Sequence, residues 1–318
     1  MSTVGSHSSN LARGYKAALA GTVFLATTAI FIRYLTETYQ LAPLVLAFWR
    51  AVFTTTALIS VLGLLRPQLL KLKRQHLSYL IIYGLILAFF NALWTLSVAL
   101  NGAAIATVLV YSSVAFTAIL GRFLLKEGLG WVKILAVFLS LGGSALTAGV
   151  LNIQSGQTNL VGILAGILSG LCYALYSLMG RSASQRGLNS WTTLLYTFTF
   201  ATVFLLVFNL LPGSPLPGAA ANHSELFWLG TPLIGWGILF LLAVGPTLLG
   251  FGLYNLSLVY LPSSVTNLIA TLEPVFTTVI AYFLLGERFS GIQVIGSLMI
   301  MSGVVFLRIY EGKRINLK

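Results

Sequence analysis

Ten apolar runs alternate with short polar breaks along the chain, and each is about the length a helix needs to cross a bilayer. They predict helices over 14–35, 43–65, 77–98, 103–124 and 129–150, and again over 159–180, 191–211, 233–257, 262–284 and 288–309. Numbered in order as segments 1 to 10, they form two sets of five on either side of a polar stretch. Residues 1–13 read as a polar tail and 310–318 as a basic one. The first run is long enough to span, so it is read as a retained helix and not as a cleaved signal. The expected fold class is an all-α integral membrane protein with ten transmembrane helices.

The two sets are copies of one another. F116-TAILGRFLLK-E127 and F276-TTVIAYFLLG-E287 agree at about half their positions, and the same offset extends without a gap to Leu96/Leu256, Ser97/Ser257 and Gly143/Gly303. The first repeat is placed at 14–150 and the second at 159–309. An odd number of helices per repeat makes the second copy enter from the opposite side, which gives two inverted five-helix repeats.

Charge fixes the expected orientation. Arg13, Lys16, Arg66, Lys71, Lys73, Arg74, Arg122, Lys126, Lys133, Arg181, Arg186, Arg308, Lys313, Arg314 and Lys318 all fall on one side of the predicted topology. The other side carries Glu37, the Pro- and Gly-rich 212–232 loop with His223 and Glu225, and Arg288 beside Glu287. The positive-inside rule then puts both termini in the cytoplasm of a cell (inner) membrane protein, with 212–232 outside.

Composition removes other classes. A chain that is 58% hydrophobic and 8% charged has more apolar surface than a soluble core can bury. The net charge of +12 resides in short loops and not on a reading face, so no nucleic-acid partner is expected. Cys172 stands alone, which excludes an intrachain disulfide. His7, His76 and His223 are peripheral and there is no aspartate, so no catalytic constellation, metal set or cofactor motif is present and the chain does not read as an enzyme.

The informative residues are polar groups inside the apolar runs. Glu273, in the middle of segment 9, is the deepest acid, and Pro274 beside it removes a backbone donor. Gly245-Pro246 makes a second break, in segment 8. Two breaks at one depth point to a midplane site; packing kinks, with Glu273 a protonated or paired structural residue, are the alternative. Ser113 and Val114 stand where the second copy has Glu273 and Pro274. Arg50, in segment 2, is a partner for Glu273 if the two segments touch, and Glu273 could carry a coupling proton. Arg33 pairs locally with Glu37.

Asn91, Trp94, Tyr111, Tyr173, Tyr176, Tyr254, Asn267 and Thr271 are expected to line a cavity for a small amphipathic or aromatic solute. On an ideal helix Glu273 points away from Asn267 and Thr271 and joins them only through the proline distortion. Gly162, Gly166 and Gly170 have helix-contact spacing, which serves packing inside the chain or a homodimer face.

From about residue 15 onward the chain resembles the EamA-type branch of the drug/metabolite transporter superfamily. The strongest segment is Ser264 to Gly303, where N267-LIATLEPVFTTVIAYFLLGE-R288 is followed by Ile295-Gly296 and Gly303; Arg50 and the LLKE ending at Glu127 add support. Val114 departs from the pattern, which puts equal mechanical roles for segments 4 and 9 in doubt. The resemblance implies a secondary transporter exporting an amino acid, metabolite or drug-like compound by alternating access. An uncoupled facilitator, or a membrane sensor or scaffold, remains the alternative.

Overall fold

The computed structural model describes residues 2–148, 159–211, 216–227, 233–285 and 290–316. The expectations attached to Glu287, Arg288 and Lys318, to 149–150 and to parts of the 212–232 loop lie outside these residues. The helices are α1 (Ser2–Leu25), α2 (Thr28–Thr38), α3 (Pro43–Leu65), α4 (Leu77–Val110), α5 (Ser112–Leu124), α6 (Trp131–Thr147) and α7 (Leu160–Gln185). They continue with α8 (Ser190–Leu210), α9 (His223–Phe227), α10 (Leu233–Leu242), α11 (Phe251–Tyr260), α12 (Ser263–Ala270), α13 (Glu273–Leu285) and α14 (Gly291–Asn316). No strand occurs among the described residues.

Eight stretches are long and apolar enough to cross a membrane: 10–38, 43–65, 74–102, 105–124, 160–185, 190–210, 233–260 and 291–310. Of the ten predicted segments, the remaining two are α6, which is apolar but shorter, and the α12–α13 stretch, which is split. Gly102, at φ 77°, separates two of the spans inside α4, a conformation that glycine adopts without a Cβ penalty. The 1–13 stretch, read as a tail, is helical from Ser2. No proline interrupts it, so the helix of the first span runs on through it.

Polarity is distributed inside out. Leu64, Leu233, Phe123 and Phe283 lie on the exterior, all more than three-quarters exposed, whereas Arg50, Asn91, Asn255 and Asn267 are at most 4% exposed. That is the arrangement a hydrocarbon solvent demands, since polar groups facing lipid would lose their hydrogen bonds.

The helices pack closely. α4 runs along α7 and α8, α3 lies against α8, and α1 lies against α11. On α7, a Cβ at Gly166 would come within 2.8 Å of Ser97 Oγ, and one at Gly170 within 3.1 Å of the Val110 carbonyl; Ser97 Oγ donates to the Gly162 carbonyl at 2.8 Å. The glycine stripe therefore serves contact with α4 inside the chain. α6 and α14 form a separate pair. A Cβ at Gly143 would meet the Gly296 carbonyl at 2.6 Å, and one at Gly303 would meet the Ala136 carbonyl at 3.2 Å. Under the repeat offset Gly143 matches Gly303 and Ala136 matches Gly296, so the contacts are reciprocal.

Four helices are interrupted around the centre. α1 and α2 are separated at Ala26–Thr27, where Thr22 and Thr27 hydroxyls donate back to the Ala18 and Phe24 carbonyls. α4 and α5 are separated at Tyr111, and α12 and α13 at Thr271–Leu272. Tyr111 and Thr271 are repeat mates, so the first copy breaks at the matching place although Val114 replaces the proline.

The segment Ala243–Gly250 between α10 and α11 is a π-helix containing Pro246. Pro246 has no N–H for the Leu242 carbonyl, and Thr247 Oγ1 donates to that carbonyl instead, at 2.9 Å. Thr54 Oγ1 of α3 donates to the Ala243 carbonyl at 3.2 Å.

Candidate functional site

These interruptions frame a small central cavity. Leu25 and Thr28 flank the break in the first span, Arg50 comes from α3, and Phe90, Asn91, Trp94 and Val110 come from α4. Tyr111 stands at the α4–α5 break, Tyr173 comes from α7, Phe251 from α11 and Glu273 from the start of α13. Both halves of the sequence therefore contribute wall.

One basic and one acidic side chain line this space. Arg50, 2% exposed, donates from Nη2 to Asn91 Oδ1, and Asn91 Nδ2 donates on to the Leu87 carbonyl at 2.9 Å. Its guanidinium carbon lies 5.9 Å from the centre of the Trp94 ring. Glu273 is half-buried and accepts from the Tyr111 hydroxyl at 2.6 Å. Arg50 and Glu273 share the cavity, but among the described residues they do not form an ion pair; the pair recorded there is Arg33–Glu37, at 2.8 Å and well exposed.

Two further buried groups on the wall have no hydrogen-bond partner among the described residues: Trp94 Nε1 and Thr28 Oγ1. Leaving such groups unpaired costs about 1–3 kcal/mol each. The apolar part of the wall is aromatic. Phe90 stacks on Tyr173 with centroids 5.0 Å apart and planes at 17°, and lies edge-on to Phe251 at 6.2 Å.

Of the residues singled out in the sequence, Arg50, Asn91, Trp94, Tyr111, Tyr173 and Glu273 meet here. Tyr176, Tyr254, Asn267 and Thr271 lie outside this wall. Tyr254 and Ser177 hydroxyls are 2.6 Å apart, Asn267 Nδ2 donates to Ser177 Oγ at 3.1 Å, and Ser113 Oγ donates to Asn267 Oδ1 at 2.9 Å. Asn255 donates to Tyr176, Tyr83 donates to Asn255 at 3.3 Å, and Thr271 Oγ1 donates to the Leu268 carbonyl at 2.6 Å. All of these are buried, and their hydrogen bonds are made to one another or to a backbone carbonyl. Pro246 and Pro274 lie at the helix irregularities flanking the site and not on its wall.

Sequence reasoning missed Leu25, Thr28, Phe90, Val110 and Phe251. Apolar wall residues look like packing residues in a chain where most positions are apolar. Thr28 had a signal, because Thr27-Thr28 is a polar pair inside an apolar run.

A second polar cluster gathers at the start of α12. Glu127 accepts from Ser263 N at 2.7 Å, Ser263 Oγ at 2.6 Å, Ser264 N at 3.2 Å and Ser264 Oγ. It caps otherwise unpaired, buried N–H groups at the start of α12 from another part of the chain. Lys133 Nζ donates to Ser264 Oγ at 2.8 Å, and Lys133 is buried in the first turn of α6, not in a loop. Arg181 donates to the Leu258 and Val259 carbonyls at 2.8 and 2.9 Å, satisfying the end of α11.

A helical membrane protein whose two sequence halves enclose a charged, aromatic central cavity has the form of a solute carrier. The chain belongs to the EamA-like transporter family, which matches it twice, over residues 12–149 and 160–309. It is 27% identical over 266 residues to the uncharacterized transporter YyaM of Bacillus subtilis, covering 81% of this chain and 82% of that one. It is 24% identical over 268 residues to a protein of Rickettsia bellii named S-adenosylmethionine uptake transporter, covering 84% of each. One solved crystal structure superposes with a TM-score of 0.70 at 17% identity, over 95% of this chain and 97% of its own, a likeness of fold alone.

Proposed function

We propose that the protein is a secondary transporter of a small organic solute, working by alternating access around the central cavity. One observation carries this reading: both halves of the chain line one space at the helix interruptions, and its wall includes the polar residues Thr28, Arg50, Asn91, Trp94 and Glu273. Such groups are costly unless something occupies the space for part of a cycle. Family membership supports transport over catalysis.

In this reading the chain crosses the inner membrane ten times as two inverted five-helix repeats, α6 and the α12–α13 stretch included. The double family match and the reciprocal Gly143–Gly296 and Ala136–Gly303 contacts support that layout. The basic loops put both termini and the Glu127 cluster on the cytoplasmic side. The buried tyrosine–asparagine cluster and the Glu127 cluster are read as the closed cytoplasmic gate. Export is the proposed direction, and Glu273 carries the coupling proton.

Reconstitution into sealed liposomes tests this, with a labelled panel of amino acids, nucleosides, aromatic cations and S-adenosylmethionine, with and without a pH gradient. Accumulation of a panel member that responds to the gradient is expected. Specific binding in detergent with no flux in liposomes overturns transport. Flux without proton movement converts the reading to a facilitator.

A further inference from the structure

We infer that α4–α5 and α12–α13 form a crossed pair with two hydrogen-bonded settings, of which this structure holds one. In the other, Glu273 passes from Tyr111 to Thr107, and Ser113 passes from Asn267 to Thr271. This rests on the alternating-access reading above and names the contacts that would change with the state. When two repeats of one fold are related by an axis in the membrane plane, swapping their conformations turns a state facing one side into a state facing the other. Every contact between the repeats then has an image, obtained by replacing each residue with its counterpart under the repeat offset. A contact whose image is also present survives the swap, and one whose image is missing is exchanged for it.

The α6–α14 seam is of the first kind. A Cβ at Gly143 would meet the Gly296 carbonyl and Ile300, and one at Gly303 would meet the Ala136 carbonyl and Ser140, so both contacts have their images in place. The contacts at the helix interruptions, where α5 lies against α12, are of the second kind. Tyr111 donates to Glu273 at 2.6 Å, and Ser113 donates to Asn267 at 2.9 Å. Tyr111 corresponds to Thr271, Ser113 to Glu273 and Thr107 to Asn267, so the images are Ser113 with Thr271 and Glu273 with Thr107. Neither of these is hydrogen-bonded here. None of the three counterpart pairs is identical in residue type, yet both images join groups able to hydrogen-bond, within largely apolar stretches. Thr107 and Tyr111, like Asn267 and Thr271, are four residues apart and share a helix face about 6 Å apart. Thr271 Oγ1 donates to the Leu268 carbonyl and keeps its lone pairs to accept from Ser113, while the Thr107 hydroxyl can donate to Glu273 whether that group is a carboxyl or a carboxylate. Ser113–Asn267 lies toward the end of the pair where Glu127 caps α12, and Glu273–Thr107 lies toward the other end, so the exchange opens one end as it closes the other.

The test uses the full-length protein in lipid nanodiscs with Cys172, the single native cysteine, replaced by serine. Two cysteine pairs are compared, Ser113→Cys with Asn267→Cys and Ser113→Cys with Thr271→Cys. The rate of disulfide formation under copper phenanthroline is read by mass spectrometry of the digested chain. Both disulfides are expected, the 113–267 one faster. The ratio of the 113–271 rate to the 113–267 rate should rise roughly fivefold in Tyr111→Phe, which removes a hydrogen bond of this setting. It should fall roughly fivefold in Thr107→Val, which removes one of the other setting, and Thr107→Ser should restore it.

Failure of the 113–271 disulfide to form in the chain without Tyr111→Phe or Thr107→Val overturns the inference, and that measurement depends on neither variant folding. A ratio that moves by less than about twofold in both variants, or in the same direction in both, overturns it as well. A general loss of stability affects both rates of a variant alike and leaves the ratio in place. Flux of the labelled panel in liposomes separates the two readings: a ratio that responds without flux leaves the two settings and removes transport, while flux with an unresponsive ratio removes the exchange and leaves transport.

Discussion

Glu127 and Glu273 are two half-buried carboxylates whose surroundings differ in one respect. Glu127 accepts four hydrogen bonds, two from backbone N–H groups and two from hydroxyls, all at the first turn of α12. Glu273 accepts one, from Tyr111, and lines the cavity. A saturated carboxylate has no capacity left for a ligand and contributes through the fold. An unsaturated one costs stability where it stands, and that cost is consistent with selection for something other than stability. Polar groups in this membrane protein therefore divide by how completely they are satisfied, and depth alone does not assign their role.

The sharpest way to break this comparison is to neutralise Glu273. Glu273→Gln keeps the shape and the Tyr111 contact, so unfolding in detergent should move by no more than about 1 kcal/mol. Proton movement driven by solute in sealed liposomes should fall to the level of protein-free vesicles. A variant that still moves protons, or one that cannot be purified folded, would place Glu273 with the structural carboxylates.

Glu127→Ala should do the reverse. It strands two helix-terminal N–H groups and two hydroxyls, and a loss of about 3 kcal/mol is expected after allowing for partial exposure of the site. The folded fraction should retain its solute affinity, measured by binding in detergent. The opposite copy cannot compensate symmetrically, because Ala103 and Ala104 stand where the second repeat has Ser263 and Ser264.

Trp94→Phe sharpens the same division on a neutral group. Removing a buried donor that has no partner should raise stability by about 1 kcal/mol, while solute affinity falls about tenfold. Stability and affinity moving together would show that the indole N–H is a packing accident.

The division was only half visible in the sequence. Arg50 and Glu273 stand out because charges are rare in lipid-length apolar runs, and the repeat offset exposed the duplication. Their surroundings were not legible. The interruption at Tyr111 has no proline to announce it, and Phe90 and Phe251 are indistinguishable by type from residues that merely pack. Glu127 and Lys133 looked like loop charges because saturation depends on which strangers in sequence become neighbours, and Ser263 is more than a hundred residues away. Tyr176, Tyr254 and Asn267 share the residue types of a binding wall, yet their hydrogen bonds are used on one another.

The smallest effect tests saturation itself. Ser264→Ala removes one hydroxyl donor to Glu127 and one acceptor for Lys133, while both Ser263 donors and the Ser264 N–H remain. The carboxylate stays largely paired, so the expected loss is about 1 kcal/mol, well below that of Glu127→Ala. Placed on a Glu127→Ala background, the same substitution should cost less, since only the acceptor for Lys133 is then lost. A double-mutant cycle of unfolding free energies reads this directly, and a coupling energy of at least about 0.5 kcal/mol is expected for groups in contact. Simple additivity would mean that the four hydrogen bonds drawn to Glu127 do not act as one cap, and the contrast with Glu273 would then rest on geometry without energy behind it.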